Sequence, residues 1–177
     1  DFFSPDPIDS NYAWMQGDFS ADGRLLLLGR TLHIWDDFPA AAVDPPALSI
    51  YGYDFEGGDG ADLVVAGGRV YVSLYNGNKI VVYNQIPDDP NQSPDFAIGS
   101  PNIHTNTLET NYFITNGVPA SNGQSLFVSS DFDRKLYVWR NLPDESGAHP
   151  DWVYSLPFPP WDNALWGDPS TGSEQAL

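Results

Sequence analysis

The chain has 177 residues, 41% of them hydrophobic, which is enough for one domain with a packed core. Its 16 glycines, 16 prolines and many aromatic residues favour short strands joined by turns and argue against long helices. The net charge of −17 argues against nucleic acid and membrane surfaces as partners. The absence of cysteine excludes a disulfide framework and a thiolate metal site.

The chain opens with a segment that resembles a later one. Residues 1–5, Asp-Phe-Phe-Ser-Pro, are similar to residues 95–101, Asp-Phe-Ala-Ile-Gly-Ser-Pro. Residues 1–10 are therefore predicted to form the last strand of a preceding unit. Because the first residue is Asp rather than Met, we expect that a leading segment was removed or that this is a piece of a longer polypeptide.

Three copies of one phrase follow. Residues 24–39, 69–87 and 125–143 each contain a strand-like run, a turn, a second run ending in an aromatic residue, and a proline. These copies recur roughly every 50 residues, and a period of this size is typical of architectures built from stacked units. A repeated fold is therefore expected, in which no unit buries its apolar surface alone.

Each phrase is flanked by two more strand-like runs, which gives four predicted strands a repeat. The predicted first and fourth strands are residues 12–16 and 47–51 in the first repeat, 61–66 and 95–99 in the second, and 111–115 and 151–156 in the third. Between the second and third strands, Gly29-Arg30 is predicted to be a two-residue turn. Asn76-Gly77 is the strongest hairpin signal in the chain.

The end of the chain resembles its beginning. Residues 163–168, Asn-Ala-Leu-Trp-Gly-Asp, are similar to residues 12–18, which include the predicted first strand of the first repeat. Residues 161–177 are therefore predicted to supply the first strand of a following unit.

Four-stranded repeats of this length predict the all-β fold class and, within it, a segment of a β-propeller. Residues 1–177 would form one partial propeller domain with three blades at about 11–56, 57–104 and 105–160. Three blades leave two open flanks, which are aggregation hazards unless they are covered. We therefore expect the remaining blades to come from the rest of a longer chain or from a second subunit, and two such arcs would make a six-bladed propeller.

The second repeat resembles the NHL repeat. Residues 68–84 carry a glycine, a short hydrophobic strand, a polar loop with Asn, the basic residue Lys79 and a strand that ends at the aromatic Tyr83. Residues 126–139 match less closely, and in the first copy the polar loop is reduced to Gly29-Arg30. The Ile-Pro and Leu-Pro tails after these strands are similar to those of bacterial extracellular NHL-like proteins. The resemblance covers most of the chain and implies a propeller in an extracellular or periplasmic setting.

The densest acidic stretch is Asp54-Phe-Glu-Gly-Gly-Asp-Gly-Ala-Asp62. Calcium prefers six to eight oxygen ligands on a flexible loop, and Asp54, Glu56, Asp59 and Asp62 offer four carboxylates. The segment lacks the spacing of an EF-hand, and the alternative is a flexible acidic loop between blades. Calcium is the one cofactor that the sequence suggests.

Two tryptophans lie in or just after the Pro-rich stretch near the end of the chain. Trp161 and Trp166 are candidates for stacking on a sugar ring or on a partner. The alternative is that they pack on the next blade.

These observations favour a non-catalytic NHL-like recognition or scaffold module that binds a protein, a glycan or another ligand through loops at its faces. The acidic surface favours cationic partners or divalent ions. The resemblance also implies an alternative, part of a metal-dependent propeller enzyme of the lyase or lactone hydrolase type. His33, His104 and His149 do not occupy corresponding repeat positions, and the sequence lacks the common nucleophile and zinc motifs. A further alternative is a structural subunit that assembles through open blade edges.

Overall fold

A computed structural model describes residues 16–41, 44–51, 55, 58, 60–74, 77–105, 117–130 and 134–155. The elements found in these residues are β-strands, which confirms the all-β prediction. They are β1 Gln16–Phe19, β2 Leu25–Leu28, β3 Leu32–Trp35, β4 Leu48–Ile50, β5 Gly60–Ala66, β6 Arg69–Leu74, β7 Ile80–Tyr83, β8 Phe96–Ile98, β9 Val118–Ser121, β10 Leu126–Ser130, β11 Lys135–Trp139 and β12 Trp152–Ser155. In this part of the chain, no helix has the length and apolar character needed to cross a membrane.

The strands form three four-stranded antiparallel sheets, each made of consecutive strands. We number them sheet 1 (β1–β4), sheet 2 (β5–β8) and sheet 3 (β9–β12). In sheet 1, Leu28 pairs with Leu32, so the β2–β3 connection has three residues and the predicted two-residue turn is wrong. The extra residue is Thr31, whose carbonyl oxygen accepts the N–H of Gly29 at 3.2 Å.

The first strands of sheets 1 and 3 can be compared with their predicted positions only in part. Strand β5 lies almost where it was predicted; of the predicted segment 12–16 only Gln16, where β1 begins, lies within the described residues. The predicted segment 111–115 lies outside the described residues, and β9 begins later, at Val118. Both strands are short and largely exposed, so they lack the apolar alternation that marks a strand.

Each sheet has two faces. The forward face is the one on the side of the next sheet in chain order, and the back face is the opposite one. The forward face of sheet 1 packs on the back face of sheet 2 through a core of Leu26, Leu28, Leu32, Ile34, Ile50, Phe55, Leu63, Val70, Val72, Leu74, Val81, Tyr83 and Ile86. The forward face of sheet 2 packs on the back face of sheet 3 through Val64, Ala66, Tyr71, Ile80, Val82, Phe96, Ile98, Leu126, Val128, Tyr137 and Trp139. Successive side chains of β6 and β7 therefore point alternately into the two cores, and sheet 2 is apolar on both faces.

The first strands of the three sheets lie side by side. Strand β5 contacts β1 on one side and β9 on the other, whereas the fourth strands lie farthest from this line of contact. A carboxylate strengthens the first junction, because Asp18 on β1 accepts the backbone N–H of Val65 on β5 at 2.8 Å. Three sheets that meet at their first strands and pack face to face form a propeller-like arrangement.

A repeated aspartate explains the Pro-Asp-aromatic motif that precedes the fourth strand of sheets 2 and 3. Asp95 accepts the N–H of Asn84 at 2.8 Å, and Asp151 accepts the N–H of Arg140 at 2.8 Å. The hydrogen bond from the Arg140 backbone is the main reason that the pKa of Asp151 is lowered. Each carboxylate thus closes the connector between the third and fourth strands of its sheet, as expected for Asp in turns.

The connector of sheet 3 also binds the preceding sheet. The Ser146 hydroxyl accepts the N–H of Ala97 on β8 at 3.1 Å, and the N–H of Gly147 donates to the Ala97 carbonyl at 3.0 Å. On the same flank, Arg69 donates to the carbonyl of Pro143 at 2.9 Å. The two bonds to Ala97 satisfy backbone groups at the outer edge of sheet 2, and all three bonds fasten one sheet to the next.

Candidate functional site

The ends of the sheets form two faces. Face A carries the β1–β2, β5–β6 and β9–β10 turns together with the connectors between the third and fourth strands. Face B carries the remaining connections, including those that lead from one sheet to the next. Loops held at the ends of rigid sheets are the usual place for recognition, so grooves, charges and exposed aromatic rings at either face mark candidate binding sites.

Face A has a cleft of about 520 Å³ between sheets 1 and 2. Its polar lining side chains are Ser20, Asp22, Arg24, Gln85 and Asp88. The Gly67–Gly68 turn forms another part of the wall, and both glycines have positive φ, 59° and 78°. Such a two-residue turn requires residues that tolerate positive φ, and glycine also leaves the backbone open to close approach by a ligand.

A compact turn fixes the charged part of this cleft. The Ser20 hydroxyl accepts the N–H of Arg24 at 2.9 Å, and Gly23 takes φ of 94° to let the chain reverse. The Arg24 guanidinium donates to the Asp22 carboxylate at 2.9 and 3.1 Å, and Ser20 donates to the same group. The cleft therefore presents an ion pair whose geometry is set by the turn itself.

The electrostatics of this pair suit binding better than proton transfer. The hydrogen bond from Arg24, with a smaller contribution from Ser20, lowers the pKa of Asp22 from 3.8 to about 2. A carboxylate with such a pKa stays ionised and is a weak general base near neutral pH. No described residue that lines the cleft is His, Cys or Lys. The cleft can thus bind polar groups, but its described residues do not assemble a nucleophile and a base.

An exposed aromatic pair lies next to the cleft. Phe19 precedes Ser20 directly and stacks on Phe38, with ring centroids 6.1 Å apart and an interplanar angle of 25°. Both rings are more than half exposed, at 53% and 69%. Exposed aromatic rings on a rigid scaffold offer a flat surface for cations, sugar rings or apolar side chains. This pair was not predicted from the sequence, because the two residues belong to different elements and meet only in the fold.

One of the predicted calcium ligands can be placed. Asp62 lies half-buried on β5 and accepts the N–H of Leu63 at 2.7 Å. Burial, and the nearby charge of Asp18, raise the pKa of Asp62 from 3.8 to about 6. Asp54, Glu56 and Asp59 lie outside the described residues. The described part of the chain contains no group of three His, Cys, Asp or Glu residues arranged for a metal, and the calcium site stays a prediction.

The raised pKa of Asp62 predicts a pH-dependent effect of Asp62→Asn. Because the folded protein binds this proton more tightly than the unfolded chain, the contribution of Asp62 to stability falls as pH rises from about 4 to about 6. At pH 7.5 we expect the variant to be more stable by about 1–2 kcal/mol, a value reduced to allow for the partial exposure of the group. Near pH 4 the difference should become small. Urea unfolding at the two pH values measures it, and an equal difference at both would contradict the assignment.

Face B holds a buried lysine that serves the fold. The Lys79 ammonium donates to the carbonyls of Ile103, at short distance, and of Thr105, at 3.5 Å. The Ser100 hydroxyl lies 2.9 Å from the same Thr105 oxygen, and Asn102 accepts the N–H of Thr105 at 2.9 Å. Lys79 is only 2% exposed, so its charge is used to hold the loop between sheets 2 and 3 rather than to meet a ligand.

The remaining candidates from sequence are not brought together. His33 is buried in β3 with its Nδ1 atom 2.8 Å from the Ser49 hydroxyl, whereas His104 and His149 lie exposed in other loops. Trp161 and Trp166 lie outside the described residues, so their role as ligand contacts stays a prediction. The residues of the cleft on face A were not predicted, although the Ser-Ala-Asp-Gly-Arg sequence at 20–24 is typical of a tight turn.

Comparisons with known proteins add little. No protein-family model matches the sequence, and no curated protein is similar to it. Among solved structures, the Polycomb Repressive Complex 2 of Chaetomium thermophilum bound to GSK126 matches at 14% identity with a TM-score of 0.46, and its humanized mutant bound to the same inhibitor matches at 15% identity with the same TM-score. Each match covers 76% of this chain but only 29% and 28% of the other chains, so this chain spans less than a third of the length of the chains it matches. At these values the likeness carries no argument about family or function.

Proposed function

We propose that the chain is part of an NHL-like β-propeller that works by recognition, with no catalytic step, and that its binding surface is face A. The observation that carries this proposal is the stacked Phe19–Phe38 pair beside the polar cleft between sheets 1 and 2. Its ligand is a protein or glycan segment that has polar or cationic groups for the cleft and a flat or apolar group for the aromatic pair. The net charge of −17 favours cationic protein segments, which would be attracted over a distance.

The chemistry of the cleft supports recognition over the enzymatic alternative. Asp22 is held ionised by Arg24, and the hydroxyl of Ser20 is committed to the same turn. A lyase or a lactone hydrolase would need a metal or a base with a pKa near neutrality at the site. The extracellular or periplasmic location and the calcium ion belong to the same proposal, and both rest on the sequence alone.

Titration with a fluorescein-labelled peptide of alternating Lys and Tyr tests this proposal. We expect saturable binding that Phe38→Ala weakens by roughly three- to ten-fold, because one exposed aromatic contact contributes about 0.5–1.5 kcal/mol. Tyr51→Ala is the matched control, since Tyr51 is also about half exposed but lies at the face B end of β4. Equal losses from both variants would mean that the peptide binds the acidic surface without using face A.

A further inference from the structure

The back face of sheet 1 has no covering sheet among the described residues, yet its third strand is buried on that face. Strand β3 points His33 and Trp35 to the back face, and these side chains are only 2% and 4% exposed. Towards the first strand, where the sheets meet, the same face is open, since Leu27 is partly exposed and Phe19 is 53% exposed. The cover on this face therefore lies over the outer strands and leaves the inner ones uncovered.

Sheet 3 contains an equivalent pair of side chains. On β11, Tyr137 and Trp139 occupy the same positions as the pair on β3, because each pair lies opposite the same two positions of the second strand. The ring centroids are 6.0 Å apart in sheet 1 and 6.4 Å apart in sheet 3. Each tryptophan donates its Nε1–H to the carbonyl nine residues later, at 3.0 Å. The two third strands are thus built alike.

In sheet 3 this pair is covered with the help of a fourth strand. The core that buries Tyr137 and Trp139 includes Phe96 and Ile98 of β8, the fourth strand of the preceding sheet. A fourth strand is the outermost strand of its sheet, so it lies over the outer part of the next sheet. A lone fourth strand on the back face of sheet 1 would therefore bury the outer side chains and leave the inner ones open, which is the pattern of exposure that sheet 1 has.

The segment before β1 resembles this covering strand in sequence. Its first five residues, Asp-Phe-Phe-Ser-Pro, are similar to the segment Asp-Phe-Ala-Ile-Gly-Ser-Pro that contains β8. In this alignment Phe2 takes the position of Phe96, which is 5% exposed in the core between sheets 2 and 3. Phe3 takes the position of Ala97, whose side chain points to the other face of its strand. Of the two phenylalanines, Phe2 is therefore the one suited to cover the next sheet.

The chain between this segment and β1 has a suitable length. In the described repeats, residues 51–59 lead from β4 to β5, and residues 99–117 lead from β8 to β9. Residues 5–15 would make the corresponding connection to β1, and they are more numerous than the first set and fewer than the second. The segment can therefore occupy the position of a fourth strand with a spacing that the repeat already uses.

We propose that the back face of sheet 1 is the docking surface for the N-terminal segment of this chain, and that residues 1–5 lie over β3 in the position of a fourth strand. The Phe2 ring packs against His33 and Trp35. The segment protects an apolar flank that would otherwise favour aggregation, and it leaves Phe19 exposed at face A. This inference does not rest on ligand binding at face A, because it concerns the outer half of the face and a different set of contacts.

Modification of histidines by diethyl pyrocarbonate, mapped by mass spectrometry, tests the proposal. His104 and His149 are exposed and serve as internal standards. In the full chain we expect His33 to react about ten-fold more slowly than either of them, because it reacts only when its cover opens. Phe2→Asp should remove most of this protection, because it places a charge against an apolar surface. Phe3→Asp introduces the same charge at the neighbouring position and should preserve the protection.

Deletion of residues 1–10 provides a second variant and should expose His33 in the same way. A synthetic peptide of residues 1–10 should then restore the protection, whereas deletion of residues 161–177 should leave it unchanged. Circular dichroism checks that each variant keeps the strand content of the parent. Continued protection of His33 without residues 1–10 would overturn the proposal, since another part of the chain would then cover the face. Equal effects of Phe2→Asp and Phe3→Asp would overturn it as well, because the segment would not lie on sheet 1 as a strand.

Discussion

Lys79→Met is expected to lower the free energy of unfolding by about 2 kcal/mol, because it removes charge-assisted hydrogen bonds from a buried site. The ammonium donates to the carbonyls of Ile103 and Thr105, which belong to the loop between sheets 2 and 3. Methionine retains the apolar stem and its packing, so the loss reports on the charge and its bonds. Urea unfolding measures the change in stability, and hydrogen exchange at His104 and Thr105 reports whether the loop loosens first.

Lys135→Met is the matched control for this experiment. Lys135 precedes Leu136 in sheet 3 as Lys79 precedes Ile80 in sheet 2, so both substitutions change the net charge equally. Lys135 is only partly buried, so water can take the place of its ammonium group after the substitution. Its replacement should cost well under about 1 kcal/mol. Equal losses from the two variants would show that the Lys79 ammonium does not hold the loop.

Leu26→Ala is expected to be the most destabilising of the substitutions considered, by about 3 kcal/mol, because it leaves a cavity in the core between sheets 1 and 2. Leu26 is completely buried on the forward face of β2. The neighbouring Leu27 points to the back face and is partly exposed, so Leu27→Ala should cost about 1 kcal/mol or less. Chemical unfolding of the two variants compares how much the two faces of β2 contribute to the free energy of unfolding.

Double variants test whether the two cores are separate. Leu26 and Val72 belong to the core between sheets 1 and 2, whereas Val128 belongs to the core between sheets 2 and 3. The effects of Leu26→Ala and Val128→Ala should add to within about 0.5 kcal/mol, and those of Leu26→Ala and Val72→Ala should not. Strict additivity in both pairs, or coupling between the distant pair, would contradict face-to-face packing of three sheets.

The parts of the fold that could be predicted were those with a strong apolar pattern. The β6–β7 hairpin is buried on both faces, β10 alternates between buried and half-buried residues, and the repetition of these hairpins indicated the four-stranded sheets. The first strands of sheets 1 and 3 have no such pattern. Gln16–Phe19 and Val118–Ser121 contain glycine or proline and are largely exposed, and Pro119 is tolerated because β9 is an edge strand of its sheet.

The candidate site was predicted less well, for a different physical reason. Asp62 was identified from its acidic neighbours, but its raised pKa depends on burial and on Asp18, which lies 44 residues earlier in the chain. The stacking of Phe19 on Phe38 likewise depends on how the connector after β3 returns to the first strand. Local composition identifies turns and charges, whereas surfaces that are shared between elements emerge only from the fold.

The two apolar faces of sheet 2 have a consequence for how such a protein can change in length. Because its back face packs on sheet 1 and its forward face packs on sheet 3, an internal duplication of this unit would create a new junction, but one in which both surfaces are already apolar. The new junction would lack the hydroxyl and glycine contacts that the connector of sheet 3 makes with Ala97. Gene segments that encode the middle of the chain are therefore the ones whose copying costs the least new sequence.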